Sequence, residues 1–177
     1  MTARDKGGTR GAAVAAARRL LDDGPAGVTM RGIASELGIQ APSLYKHFPD
    51  KRALEAAVIA EGLREFGAAM SAALSSGGEP VRALAGAYRA FGLNNRHLYE
   101  LMHDGPLPRD LLPEGLEDAV AAPMLEVFGD RDRTRVAWAL AHGLVSLELA
   151  DRFPADADLP RAWDVAVLAM RALSPTG

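Results

Sequence analysis

The chain has 177 residues, of which 49% are hydrophobic and 24% charged, and it contains no cysteine. This composition can fill a substantial core, excludes a disulfide framework or a thiolate metal site, and offers no uncharged run of the ~18 residues that a membrane span needs. The formal net charge of −3 provides no overall attraction to nucleic acid. Because the polar N-terminus has no apolar signal-peptide region, we expect a cytoplasmic protein with no membrane partner.

The charge is unevenly distributed along the chain. The first 52 residues carry nine Lys and Arg against five Asp and Glu, whereas the remainder carries eleven against eighteen. A basic segment attached to an acidic body can bind DNA while the body stays away from the phosphates. The alternative explanation is a chance excess of basic residues in a short segment. The motifs within the segment are needed to distinguish this from DNA binding.

The first predicted element is a helix over residues 9–23, where apolar side chains recur at helical spacing and Gly24-Pro25 ends the pattern. Arg4 and Lys6 before it, together with Arg10 at its start, form either an arm that contacts DNA or a solvated tail.

Two shorter helices follow the first. Thr29 is suited to cap one of them, and Gly38 is suited to the left-handed position that ends it. Pro42 fits the first turn of the next helix, in which Leu44 and Phe48 are spaced to share one buried face. Two short helices joined by a tight turn predict a helix-turn-helix, which makes DNA the expected partner.

The rest of the chain also shows helical periodicity and no strand-like alternation. Asp50 is suited to cap a long helix that has no flexible linker before it. The helices predicted from this point are 51–74, 81–95, 96–103, 114–128, 131–152 and 159–173. We therefore predict an all-α fold of about nine helices, in which a three-helix head (residues 1–52) continues directly into a larger helical body (residues 53–177).

Four stretches of the head form a pattern that is longer than a helix-turn-helix alone: Thr29-Met30-Arg31-Gly32-Ile33-Ala34, Leu37-Gly38-Ile39, Leu44-Tyr45-Lys46-His47-Phe48 and Asp50-Lys51-Arg52-Ala53-Leu54. With these residues the head resembles the TetR family of bacterial transcriptional regulators. In the body, Trp138-x-x-x-His142-Gly143 is similar to the Trp-x-x-x-His-Gly signature of one effector-domain class in this family. The resemblance implies a homodimer whose first three helices bind operator DNA and whose remaining helices bind an effector and dimerise.

The predicted DNA contacts combine this resemblance with helix geometry. The resemblance places Tyr45 and His47 on phosphates and Lys46 along the major groove, whereas Thr29 and Lys51 begin helices whose N-terminal amides favour an anion. The alternatives are that Thr29 is only a cap, Lys51 a solvated charge and His47 a packing residue. The full predicted set is Thr29, Arg31, Gln40, Ala41, Pro42, Ser43, Tyr45, Lys46, His47 and Lys51.

The effector site is predicted from aromatic, methionine and histidine side chains in the body. Such residues suit an apolar or aromatic small molecule held by a few polar anchors, although ordinary core packing explains most of them singly. The predicted set is Phe66, Met70, Tyr88, Phe91, Tyr99, Met102, His103, Trp138 and His142.

The dimer interface is predicted from the last two helices. The helix over 131–152 carries two apolar stripes, whereas a surface helix of a monomer needs only one. The alternative is that both helices are internal to a single core. The predicted interface residues are Leu140, Leu144, Leu147, Trp163, Val167 and Met170.

The function predicted from these features is a ligand-responsive DNA-binding regulator, most simply a repressor that a small molecule releases from its operator. The alternative is a helical ligand-binding or scaffold dimer that has lost DNA binding. We predict no enzyme, because the chain has no Gly-x-Ser-x-Gly elbow, phosphate-binding glycine loop or His-Glu-x-x-His motif. No cofactor or metal is predicted.

Overall fold

The computed structural model describes the backbone of residues 3–175 and the side chains of residues 8–175. Within that part of the chain all regular structure is helical, in agreement with the predicted fold class. The α-helices are α1 (Ala3–Asp22), α2 (Met30–Glu36), α3 (Ala41–Tyr45), α4 (Lys51–Ser75), α5 (Pro80–Asn94), α6 (Arg96–His103), α7 (Leu116–Phe128), α8 (Arg131–Leu149) and α9 (Leu159–Arg171). Short 3₁₀ turns occupy Pro25–Gly27 and Arg109–Leu111.

The first helix begins earlier than the sequence predicts. Helix α1 starts at Ala3 instead of near residue 9, so Arg10 lies inside a helix, and the prediction that it belongs to an arm or a solvated tail is wrong. The side chains of Arg4 and Lys6, the other members of that predicted arm, lie outside the described residues. None of the described helices combines the length and the apolar character that crossing a membrane would require.

The described residues form two compact units. The first contains the residues up to Leu63 together with His97–Glu114, and the second contains Arg64–Arg96 and Gly115 onwards. Helix α4 contributes residues to both units. The functional boundary between residues 52 and 53 was predicted on other grounds, and it stays a prediction.

The caps of the first unit follow the local sequence. The Thr29 side chain accepts a hydrogen bond of 3.0 Å from the Gly32 amide and begins α2. Gly38 adopts a φ of 64°, the left-handed conformation that ends this helix at little steric cost. The Asp50 carboxylate accepts a hydrogen bond of 2.7 Å from the Ala53 amide and begins α4. These contacts confirm the predicted boundaries around the helix-turn-helix.

Gly62 marks a close approach of α4 to α6 within the first unit. A Cβ atom at this position would lie 2.9 Å from both Leu98 Cδ1 and Met102 Sδ. These distances are shorter than van der Waals contact, so a side chain at position 62 would require the Leu98 and Met102 side chains to move.

In the second unit, α5 packs against α7, α8 and α9. Two ring contacts, both edge-to-face, join Phe66 to Tyr88 and to Phe91 with centroid distances of 5.1 and 5.3 Å. Such aromatic pairs add stability beyond the apolar area that they bury. The core of this unit is therefore built around aromatic side chains from α4 and α5.

A buried carboxylate joins α5, α8 and α9. The Glu148 side chain is only 5% exposed, and it accepts hydrogen bonds of 2.9 and 3.1 Å from the Arg89 guanidinium. The Trp163 indole N–H donates to the other carboxylate oxygen. Because a buried charge without partners is costly, these contacts fix the side of α9 that faces inward.

Candidate functional site

The helix-turn-helix exposes a polar surface on top of a completely buried apolar layer. Leu44 and Phe48 have no exposed surface. Regular α3 ends at Tyr45, but the Phe48 amide still donates a hydrogen bond of 3.0 Å to the Leu44 carbonyl, which continues the helical path and keeps the two side chains on one face. Tyr45, between them in the sequence, is 50% exposed. This layer fixes the backbone of α3, so the side chains on its outer faces are held in defined directions.

Every predicted DNA-binding residue belongs to the first unit and is at least partly exposed. Thr29, Arg31, Gln40, Pro42, Tyr45, Lys46 and Lys51 are exposed, and Ala41, Ser43 and His47 are partly buried. Exposed amide, hydroxyl and ammonium groups beside a short helix are able to contact phosphates and base edges. The arrangement is compatible with the predicted contacts, and their individual roles stay predictions.

Two of these residues also have partners within the chain. Thr29 caps α2, and the Lys51 ammonium lies 3.0 Å from the Glu55 carboxylate one turn along α4. An exposed pair of this kind contributes little to stability, so it does not prevent the ammonium from binding a phosphate. The cap role and a DNA contact are not exclusive either, since the threonine hydroxyl that accepts a hydrogen bond also has a proton to donate.

An ion pair that the sequence did not reveal holds the start of α4. The Arg52 guanidinium donates to both carboxylate oxygens of Asp110, at 2.5 and 3.0 Å. The hydrogen bond from Arg52 lowers the pKa of the Asp110 carboxyl, and the same contact raises the pKa of Arg52. This exposed two-point contact joins α4 to the 3₁₀ turn at Arg109–Leu111, 58 residues away in the sequence.

The predicted effector residues are divided between the two units. Tyr99, Met102 and His103 belong to the first, where the His103 Nδ1 lies 2.7 Å from the Tyr99 carbonyl oxygen. The remaining members belong to the second unit. Most of the set is buried, so each of these side chains contributes to a core whether or not it also contacts a ligand.

The second unit encloses a small apolar cavity. Its volume is about 10 Å³, near the minimum that holds a single water molecule, and two of the predicted residues, Met70 and Tyr88, lie on its wall. A drug-sized ligand needs roughly 300 Å³ or more. The cavity is therefore too small for such a ligand in this conformation.

Trp138 and His142 occupy one side of α8, with ring centroids 6.3 Å apart. Trp138 is 46% exposed, whereas the smaller Ala137 and Ala141 face the core. Partial burial lowers the pKa of His142 below its ordinary value of 6.5. The pair is accessible from solvent, and its role in binding an effector stays a prediction.

The structure corrects half of the predicted dimer interface. Trp163, Val167 and Met170 are 6%, 3% and 2% exposed within one chain, so they have no surface left for a second copy. The physical reason is the hydrogen bond from the Trp163 indole to the buried Glu148, which keeps this stripe of α9 against the core.

The opposite face of α9 carries the exposed apolar residues that the sequence analysis missed. Val165 and Leu168 are 57% and 59% exposed. A surface groove between α8 and α9 is lined by Val165 and by Leu140 and Leu144, two of the residues predicted for the dimer interface. Leu147, the third predicted residue of α8, is 42% exposed. The spacing of Val165 and Leu168 could have revealed this second stripe.

Comparison with known proteins identifies both parts of the chain. Residues 13–58 match the family described as bacterial regulatory proteins, tetR family, and residues 81–170 match the tetracyclin repressor-like C-terminal domain. The second match contains Trp138, His142 and Gly143, and together the two matches cover most of the chain.

Individual relatives are more distant. The HTH-type transcriptional regulator Rv1816 of Mycobacterium tuberculosis is 25% identical over 118 residues, which cover 64% of this chain and 50% of the relative. The chain thus spans about half the length of the curated relatives it matches.

Solved structures share the fold over almost the whole chain. SCO4313, described as a regulatory protein, is 21% identical with a TM-score of 0.76, and the match covers 97% of this chain and 99% of that one. RolR in complex with the ligand resorcinol is 19% identical with a TM-score of 0.70, over 99% and 92% of the two chains. With family matches at both ends and this common fold between them, the chain belongs to the TetR family of bacterial regulatory proteins.

Proposed function

We propose that this protein is a ligand-responsive, DNA-binding repressor of the bacterial cytoplasm, which acts by binding and not by catalysis. The observation that carries the proposal is the exposed polar surface of α3 above the buried Leu44 and Phe48. A recognition helix needs this combination, because it must enter a groove without losing its orientation.

The DNA contacts fall into two groups in this proposal. Tyr45, His47, Thr29 and Lys51 bind backbone phosphates, which fixes the head on the duplex. Residues 40–43 at the start of α3, together with Lys46 and Arg31, reach base edges or the groove wall. Phosphate contacts release counterions, so binding must weaken steeply as the salt concentration rises.

A second copy of the chain completes the DNA-binding unit. We propose that the groove between α8 and α9, with the exposed Val165, Leu168 and Leu147 beside it, packs against the same groove of the second copy. Two-fold symmetry supplies two heads for two half-sites, and apolar side chains at the contact gain stability by leaving water.

The effector is proposed to be a small apolar or aromatic molecule. RolR, which shares the fold, holds resorcinol, a small aromatic compound. In this chain Tyr88, which packs against Phe66, lies on the wall of a cavity of only about 10 Å³, so an effector that binds there must stabilise a more open arrangement. Binding shifts the population only if the effector prefers the open state, and the continuous α4 gives that shift a route to the head.

A direct DNA-binding measurement tests the proposal. Fluorescence anisotropy of the full chain against duplexes from its own upstream region, at two salt concentrations, should give tight binding that weakens with salt. Tyr45→Ala should weaken binding at least tenfold. Arg64→Ala, which removes an exposed positive charge of α4 outside the first unit, should leave binding close to that of the wild type.

The result that would overturn the proposal is equally direct. If neither these duplexes nor a genome-wide pool of fragments is bound at low salt, the head is inert. The protein would then be a ligand-binding or scaffold dimer.

A further inference from the structure

One arginine of α1 is bound to the end of the recognition segment, which consists of α3 and the residues after it up to Phe48. The Arg10 Nη1 donates a hydrogen bond of 2.9 Å to the His47 carbonyl, 37 residues later in the sequence. The same guanidinium lies over the Phe48 ring, 4.3 Å from its centroid. Arg10 therefore contacts the recognition segment in two ways, by a hydrogen bond and by a cation–π contact.

The recognition segment needs a tether of this kind. Helix α3 has only five residues, and its N-cap Gln40 makes no side-chain hydrogen bond to the first turn. Helices this short are not stable alone, and the last carbonyls of any helix lack partners inside it. The His47 carbonyl follows the C-cap Lys46, so a cation bound to it satisfies an acceptor beside the helix end and interacts favourably with the helix dipole.

The two contacts together specify arginine. A lysine could carry the charge, but its ammonium has no planar face to stack on Phe48 and no fixed fork to reach the His47 carbonyl at the same time. The proposed role of Arg10 therefore depends on the geometry of its side chain as well as on its charge.

We propose that Arg10 is a positioning residue for DNA recognition: it fixes the last turn of the recognition segment and so sets the direction of Tyr45, Lys46 and His47. The inference rests on the proposed DNA interface. In this role Arg10 acts through α3 and does not itself bind a phosphate.

Two substitutions separate positioning from a phosphate contact. Arg10→Ala removes the tether, whereas Arg10→Lys keeps the charge and loses the stacking and fork geometry. Both should weaken binding to the preferred duplex at least tenfold and reduce its preference over unrelated DNA, with the salt dependence of the wild type. A phosphate contact predicts instead that Arg10→Lys retains binding and that Arg10→Ala lowers the salt slope by about one.

Arg19→Ala is the matched control. It removes one positive charge from the same helix, but the Arg19 side chain is 58% exposed and pairs with Glu36 of α2, not with α3. It should change affinity less than threefold and preserve discrimination between duplexes.

Hydrogen exchange of the free protein provides a readout without DNA. Peptides that cover residues 44–48 should exchange faster in Arg10→Ala and Arg10→Lys than in wild type or Arg19→Ala, while peptides of the second unit stay unchanged. Unchanged exchange at 44–48, or full DNA binding by Arg10→Lys, would overturn the positioning role of Arg10 but not the proposed DNA interface. A wild-type chain that binds no DNA would overturn the proposed interface and this role together.

Discussion

The two units of the protein distribute polar and apolar groups in opposite ways. In the first unit, Leu44 and Phe48 are buried and the polar side chains of the recognition segment face water. In the second, the Glu148 carboxylate is buried, whereas Val165 and Leu168 are more than half exposed.

This difference indicates what each surface is suited to bind. A polar surface on a rigid apolar layer can exchange water for a charged, hydrated partner such as DNA. An apolar surface gains only when a partner removes it from water, and a second copy of the same groove does this with matching chemistry. The hydrogen bond from the Trp163 indole to Glu148, whose carboxylate is paired with Arg89, then holds α9 in the orientation that keeps Val165 and Leu168 outward.

The largest effect is expected from Phe48→Ala in the first unit. Removing a fully buried phenyl ring should cost about 3–5 kcal/mol, because the vacated space is only partly refilled. Both tryptophans of the chain, Trp138 and Trp163, lie in the second unit, so their fluorescence reports on that unit while circular dichroism reports on all helices. Early loss of helical signal before the fluorescence transition is the expected result.

The neighbouring aromatic residue is the control for this measurement. Tyr45→Ala removes a half-exposed ring from the same segment and should change the free energy of unfolding by less than about 0.5 kcal/mol, even though it should weaken DNA binding at least tenfold. Equal destabilisation by the two substitutions would show that the outer and inner faces of the segment are not distinct.

A smaller effect, on assembly, is expected from Leu168→Glu. A carboxylate at this 59% exposed position would have to lose water in the proposed dimer, so the dissociation constant of the dimer should rise at least tenfold, about 1.4 kcal/mol. Sedimentation over a range of concentrations measures this change. Leu93→Glu changes another exposed leucine of the second unit, on α5, and should leave the dissociation constant unaltered. Equal effects of the two would place the interface elsewhere.

The smallest effect is a pH dependence that comes from His142. Because burial lowers the pKa of His142 in the folded protein, the unfolded chain takes up a proton at higher pH than the folded chain does. Stability of the second unit should therefore fall as the pH drops through the unfolded-state value near 6.5. His142→Asn should reduce this loss, as measured by urea unfolding with tryptophan fluorescence at pH 7.5 and 5.5.

His97→Asn is the corresponding control, since His97 belongs to the first unit and lies outside the region that the tryptophans report. An identical pH response of wild type and His142→Asn would contradict the inference that a neutral imidazole is preferred at this site.

The same contrast explains which features could be predicted from the sequence. The caps Thr29 and Asp50 and the left-handed Gly38 act on residues within four positions of themselves, so a local pattern suffices to place them. The polar surface of the head was predictable for this reason, and the family resemblance indicated that this surface binds DNA.

Burial in the second unit depends on contacts between residues far apart in sequence. Periodicity found the stripe of Trp163, Val167 and Met170, but it could not show that the stripe faces inward, because that is decided by Glu148, 15 residues before Trp163. On α8, small alanines lie where helices approach closely and the larger Trp138 remains outside, which a hydrophobicity pattern does not reveal. The ion pair between Arg52 and Asp110 was unpredictable for the same reason.

The close approach at Gly62 has a consequence for how this sequence can vary. Since a single methyl group there would meet the ends of the Leu98 and Met102 side chains, a larger residue at position 62 requires one of those side chains to move or to become shorter. Among natural variants of this protein, we expect alanine or serine at position 62 to occur together with a shortened residue at 98 or 102. Substitutions at these three positions, which lie on two helices, should therefore be correlated.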